Sequence, residues 1–158
     1  VNSFSKNWAM TGWRIGWLTV HPSLAGVFEN LIQYSTSGVA QFMQKGAVAA
    51  LDKGDDFIRF QVERAREARS ILCAALAGTG KASVIPPEGA FYLFFGLHGV
   101  TDSMSAALAM VEQANVGIAP GVAFGENGDS YFRICFNRKL DDIHSAADRL
   151  VTWIGENL

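Results

Sequence analysis

Val1-Asn2-Ser3-Phe4-Ser5-Lys6, followed closely by Gly12-Trp13-Arg14-Ile15-Gly16, is the stretch on which the reading of this chain turns. Two hydroxyls and a guanidinium set around one lysine suit a phosphorylated aldehyde. The hydroxyls can donate to phosphate oxygens, and the arginine fork matches a phosphate bidentately. The lysine amine can condense with the aldehyde as a Schiff base. Gly12 and Gly16 permit tight backbone turns beside the group being held. The order is not that of a Walker phosphate loop, which needs glycines ahead of the lysine and a hydroxyl directly after it. Taken alone, a lysine after two serines also fits an ordinary solvated loop.

Working outward, the chain opens on Val1 with no initiator methionine and no polar lead-in, so a preceding segment is expected. Trp13 to Val20 is rich in strand formers. Pro22 and Ser23 open a helix, proline fitting a first turn whose N–H groups have no partner. Leu24, Val27, Phe28 and Leu31 then recur at the spacing of one buried helical face. Ser35 to Gly38 breaks that helix, and a second runs from about Ala40 to Leu51, stopped by Gly54. A third, capped by Asp55 or Asp56, continues to about Ala77. Ile58, Val62, Ala65, Leu72 and Leu76 are expected on its buried side, with Glu63, Arg64, Arg66 and Glu67 in solvent. It is long enough to bridge two domains.

Beyond it, Ala82 to Ile85 and Ala90 to Leu97 read as strands flanking Pro86-Pro87-Glu88-Gly89. Met104, Ala107, Leu108 and Val111 mark a helix capped near Asp102. Val116 to Ala119 and Tyr131 to Phe136 read as strands around Pro120-Gly121-Val122-Ala123-Phe124-Gly125. Ile143, Ala146, Ala147, Leu150, Val151 and Ile154 form the stripe of a last helix. No repeat or low-complexity segment interrupts this α+β pattern.

Composition narrows the classes. Hydrophobic residues make up 49% and charged residues 18% of 158, which excludes a disordered chain. The net charge of −2, without a basic block, argues against nucleic acid. No apolar run reaches the roughly 20 residues that span a bilayer, and no secretory signal pattern is visible. Cys73 and Cys135 lie too far apart for a disulfide framework or a metal cluster and read as buried thiols. His21, His98 and His144 have no ligand-spaced partners, so no metal is expected. Trp8, Trp13, Trp17 and Trp153 read as packing.

Ser-x-Ser-Lys with Gly-Trp-Arg-x-Gly, the arginine eight residues after the lysine, resembles the cofactor-lysine signature of class I/II pyridoxal-phosphate-dependent aminotransferases. Three further landmarks follow in that family's order. Pro87-Glu88-Gly89-Ala90-Phe91-Tyr92 resembles its Pro-x-Gly-x-Phe turn, Pro120 to Gly125 its Pro-Gly-x-x-Phe-Gly turn, and Tyr131 to Phe136 the strand carrying its substrate arginine. The resemblance covers the whole chain but only the later part of a typical member.

The resemblance implies an α/β fold, the C-terminal part of a fold-type I enzyme of the aspartate aminotransferase kind. Residues 1–55 would be the incomplete tail of the large cofactor-binding domain. Residues 56–158 would be the small C-terminal domain, long helix included. Lys6 would carry the pyridoxal 5'-phosphate, Ser3 and Arg14 would hold its phosphate, and Ser5 would be a further contact. Arg133 would clamp the substrate α-carboxylate, although an arginine between Phe132 and Ile134 can equally point outward from a strand. Phe91 resembles a wall residue of the substrate pocket, a place where a phenylalanine is also ordinary core. The family's ring-binding residues lie ahead of the lysine and have no counterpart here, so the chain by itself is expected to be inactive.

The activity implied is amino transfer between an amino acid and a 2-oxo acid, in a cytoplasmic homodimer. The same residues also fit a carbon–sulfur lyase or a cyclopropane-forming synthase of the same fold. They fit, too, the aminotransferase-like domain of a transcription regulator.

Overall fold

A computed structural model describes every residue from Val1 to Leu158. The backbone divides into two compact units, Val1–Val62 and Glu63–Leu158. The division falls inside the longest helix, where the sequence places the boundary ahead of it.

The first unit begins with a short antiparallel ribbon, β1 (Asn2–Ser3) against β2 (Gly16–Trp17). Only these two residues of the expected Trp13-to-Val20 strand are paired; Thr11–Trp13 form a single 3-10 turn instead. Strand-forming side chains make a strand only where a neighbour supplies the other half of the ladder. Phe4, Met10, Ile15 and Ala47 form a small buried cluster. The Phe4 ring lies 5.0 Å from those of both Trp8 and Trp17. Two of the expected packing tryptophans therefore support this cluster, and Trp13 lies against Gly46.

Two helices follow. Pro22 opens a 3-10 turn, Pro22–Leu24, that runs into α1 (Ala25–Ser35). Ser37 and Gly38 then turn with positive φ before α2 (Gln41–Lys53), which ends at Gly54 as expected. The apolar face of α1 departs from expectation. No α1 residue is buried, and Val27 and Leu31 are 62% and 59% exposed. The periodicity identifies the face but not a covering element, and this unit contains none. Helices owe most of their stability to such packing. In the 158-residue chain, α1 amides should therefore exchange orders of magnitude faster than those of the last helix. Equal protection of the two in a monomer would show that α1 is covered after all.

α3 (Asp55–Gly78) carries acidic residues in its first turn, where the helix dipole favours them. In the second unit its buried residues are Ala68, Leu72 and Leu76. Val62 is exposed rather than buried. Arg64, expected in solvent, is half-buried and donates from Nη2 to the Asn137 side-chain oxygen at 2.8 Å.

The sheet of this unit is four-stranded and antiparallel: β3 (Ala82–Val84), β4 (Tyr92–Leu97), β6 (Tyr131–Cys135) and β5 (Ala119–Pro120), side by side in that order. Leu93, Phe95 and Leu97 of β4 face the core with Phe132 and Ile134 of β6. Helices α3, α4 (Ser103–Ala114) and α5 (Leu140–Asn157) contribute most of the rest of that core, with Val116 and Phe136. This is the one-sided burial that makes antiparallel strands alternate. α5 buries Ile143, Ala147, Leu150, Trp153 and Ile154, close to the expected stripe.

α4 begins where expected. Asp102 accepts from the Ser105 hydroxyl at 2.6 Å and from the Met104 and Ser105 N–H groups at 3.0 Å, which hold its carboxyl below the usual range. Of the residues that mark it in the sequence, Ala107 is buried, with Ser103, Met110 and Ala114, while Met104, Leu108 and Val111 are exposed. Cys73 and Cys135 are free and half-buried, and burial pushes the Cys73 thiol up. No helix is long and apolar enough to cross a membrane.

Candidate functional site

Alternating burial organises the candidate residues of the first unit. Phe4 is buried, while Ser3 and Lys6 are exposed and Ser5 is half-buried. The ring between the two serines thus anchors the segment. Ser3 pairs with Gly16 across the ribbon, and the Phe4 N–H donates to the Ile15 carbonyl at 3.1 Å. These bonds bring the Ser3-to-Lys6 segment alongside the segment that starts at Arg14. A Cβ on Gly16 would collide with the Asn2 carbonyl, so the close approach requires glycine.

The polar groups keep donors to offer. Ser3 Oγ accepts from the Ser5 N–H at 3.3 Å and retains its own hydroxyl proton. Arg14 gives one Nη1 donor to the Thr11 carbonyl at 3.0 Å, out of the five N–H groups of a guanidinium. Arg14 also sits in the left-handed region, φ +52°, as does Ala9 at +54°. For a side chain that costs about 1 kcal/mol or more. Backbone strain of this kind is concentrated at ligand-holding sites. An exposed guanidinium, two serine hydroxyls and an amine on one ribbon form a donor set that fits a phosphorylated aldehyde.

The second unit holds Arg133 and Phe91. Phe132 and Ile134 face the core, so the strand turns Arg133 to the opposite face of the sheet. It does not project freely into water there. Its guanidinium carbon lies 4.4 Å from the Tyr92 ring centre and 4.1 Å from that of Phe124. Phe94 stands directly across from it in the register. The Phe94 ring stacks on Tyr131 at 5.3 Å and meets Phe124 edge-on at 6.0 Å.

Phe91 is half-buried against the core, its ring 4.5 Å from that of Tyr92. Tyr92 lies against Arg133. The sequence reading passed over Tyr92, Phe94 and Tyr131 as site residues. Their signal was present as period-two alternation in both strands, but only the β4–β6 register makes them neighbours of one arginine. His98 is exposed, its Nε2 2.8 Å from the Ser83 hydroxyl, and no cluster of metal-ligating residues occurs.

Comparison with known proteins identifies the family of the chain. Residues 1–150 match the sequence profile of aminotransferase class I and II. The chain is 37% identical over 152 residues to a probable aspartate aminotransferase of Methanocaldococcus jannaschii, covering 92% of this chain and 40% of that protein. It is 31% identical to a probable N-acetyl-LL-diaminopimelate aminotransferase of Bacillus subtilis, over 98% of this chain and 39% of that one. Among solved structures, an aminotransferase from Mycobacterium tuberculosis superposes with a TM-score of 0.91 at 32% identity. That match covers 98% of this chain and 41% of the other. The chain therefore spans about 40% of the length of the relatives it matches.

Proposed function

Because this chain belongs to the aminotransferase class I and II family and has the architecture of the C-terminal part of a fold-type I enzyme, we propose that the whole protein moves an amino group between an amino acid and a 2-oxo acid, with pyridoxal 5'-phosphate held on Lys6. The observation that carries this reading is the ribbon of the first unit, which aligns Ser3, Ser5 and Lys6 with the segment of Arg14. A phosphate needs several converging donors, and Ser3, Ser5 and Arg14 offer them beside the one amine of Lys6. The relatives compared are named aminotransferases, which supports amino transfer over lyase chemistry and over a regulatory role.

In this reading Arg14 and the Ser3 hydroxyl bind the phosphate, and Ser5 adds a further donor. Lys6 Nζ takes the proton from the substrate α-carbon and returns it, a positioned acid–base role. When bound, the pyridinium ring supplies the electron sink for that proton transfer. Arg133 pairs with the substrate α-carboxylate and so fixes which hydrogen is presented. Phe91 and Tyr92 are proposed as one wall of the substrate site. Residues 1–55 would serve as the end of the cofactor-binding domain and residues 56–158 as the small domain of a cytoplasmic homodimer. The 158 residues alone, which offer the phosphate donors but no identified ring partner, are expected to be inactive.

Arg14→Ala tests the phosphate assignment. In the cofactor-loaded enzyme it should loosen the cofactor about tenfold or more, the scale of a lost charge-assisted bond. The KM for amino acid at saturating cofactor should change little. Fluorescence-followed cofactor dissociation measures this, and a wild-type dissociation constant would remove Arg14 from the site.

A further inference from the structure

Arg133 is half-buried, yet no acceptor within the chain holds it. Its guanidinium takes part in neither a hydrogen bond nor an ion pair within the chain. What contacts its guanidinium is aromatic, Tyr92 at 4.4 Å and Phe124 at 4.1 Å. A ring attracts a guanidinium through its flat face, whereas the five N–H donors lie in the plane, at the edge. Aromatic contacts therefore orient the cation while leaving its donors unengaged. A carboxylate partner from the protein would instead occupy the fork that a substrate needs.

The rings are themselves fixed. Tyr92 is on β4, diagonal to Arg133 across the β4–β6 ladder. Phe124 ends the 3-10 turn Gly121–Phe124, which is tied down in two ways. The fully buried Ser103 hydroxyl, at the start of α4, accepts from the Val122 N–H at 3.3 Å. Gly121 and Gly128 approach so closely that a Cβ on either would run into the other's backbone. Phe94, edge-on to Phe124 and stacked on Tyr131, closes the cluster.

We propose that Tyr92 and Phe124 are positioning residues. They hold the Arg133 guanidinium by its face so that its edge is presented, already oriented and partly desolvated, to a substrate carboxylate. This rests on the reading of Arg133 as the carboxylate clamp. The cluster replaces an ion pair as the means of ordering a long, flexible side chain before the substrate arrives. Its effect belongs in the binding of substrate, because the ring contacts are the same before and after proton transfer.

In the whole enzyme, Phe124→Leu should raise the KM for amino acid about tenfold, as expected for a desolvated cation–ring contact. kcat at saturating amino acid should stay close to wild type. Phe124→Tyr, which keeps the ring, should restore the KM, and Tyr92→Leu should raise it as Phe124→Leu does. Independently of turnover, the Nε proton of Arg133 in this chain should resonate upfield of exposed arginines. That shift should shrink in Phe124→Leu and persist in Phe124→Tyr. A wild-type KM in Phe124→Leu, beside a raised KM in Arg133→Ala, overturns the inference and leaves the clamp standing. A wild-type KM in Arg133→Ala removes the clamp itself. Should Phe124→Leu fail to fold, an Arg133 Nε proton at the exposed-arginine position in the unmodified chain overturns the inference by itself.

Discussion

Lys6→Ala is expected to slow amino transfer by roughly two to four orders of magnitude, the scale of a positioned acid–base group, and to end covalent retention of the cofactor. Two separate losses follow from one missing amine. Borohydride, which should tie the cofactor irreversibly to Lys6 in the unmodified enzyme, should leave the variant unlabelled. The visible absorbance of the lysine-bound cofactor should vanish, although Ser3, Ser5 and Arg14 remain to hold its phosphate. Added methylamine should recover part of the rate, since it supplies a base without the tether. A Lys6→Ala enzyme turning over at the wild-type rate would return Lys6 to an ordinary exposed loop residue.

The contrast between α5 and α4 shows what the sequence could convey. α5 has mostly polar residues outside its stripe, so Ile143, Leu150 and Ile154 identify the buried face unaided. α4 is apolar on several sides, and of the residues that mark it in the sequence only Ala107 is buried. The structure buries the small ones, Ser103 and Ala107 with Met110 and Ala114. Small side chains let a helix approach the turn at Gly121–Val122 closely, and the Ser103 hydroxyl meets the Val122 N–H there. That choice depends on a partner distant in sequence, which periodicity does not carry. Arg64 is a similar case: its solvated appearance in the sequence gave no hint of Asn137, 73 residues on.

The site divides along the same line. Ser3, Ser5, Lys6 and Arg14 could be named as candidates from the sequence because they lie in one short local stretch, and local spacing is what a motif records. Arg133 was named from its motif, but its direction was not. Whether it faced the core or the other side of the sheet depended on Phe132 and Ile134 packing under α-helices elsewhere in the chain. The aromatic residues around it required the pairing of Phe94 with Arg133 and the return of the Gly121–Phe124 turn. Both are long-range facts.

Arg133→Ala should weaken the use of amino acid by about 2–5 kcal/mol, the scale for removing one partner of a desolvated, hydrogen-bonded charge pair. In kcat/KM that is roughly thirtyfold to several thousandfold, at 1.4 kcal/mol per factor of ten. Much of the loss comes from the substrate's α-carboxylate, which would enter an aromatic surround with nothing to satisfy it. Amines that lack an α-carboxylate should for the same reason be nearly indifferent to the substitution. Arg133→Lys should recover only part of the activity, because an ammonium has no planar fork to meet a carboxylate bidentately. Cofactor affinity should stay at the wild-type value, because the phosphate donors belong to the ribbon of the first unit. Steady-state kinetics with paired carboxylate and non-carboxylate amines, together with a cofactor titration, separate these effects. If both amine classes fell equally, Arg133 would be acting through the fold of the sheet and not as a clamp.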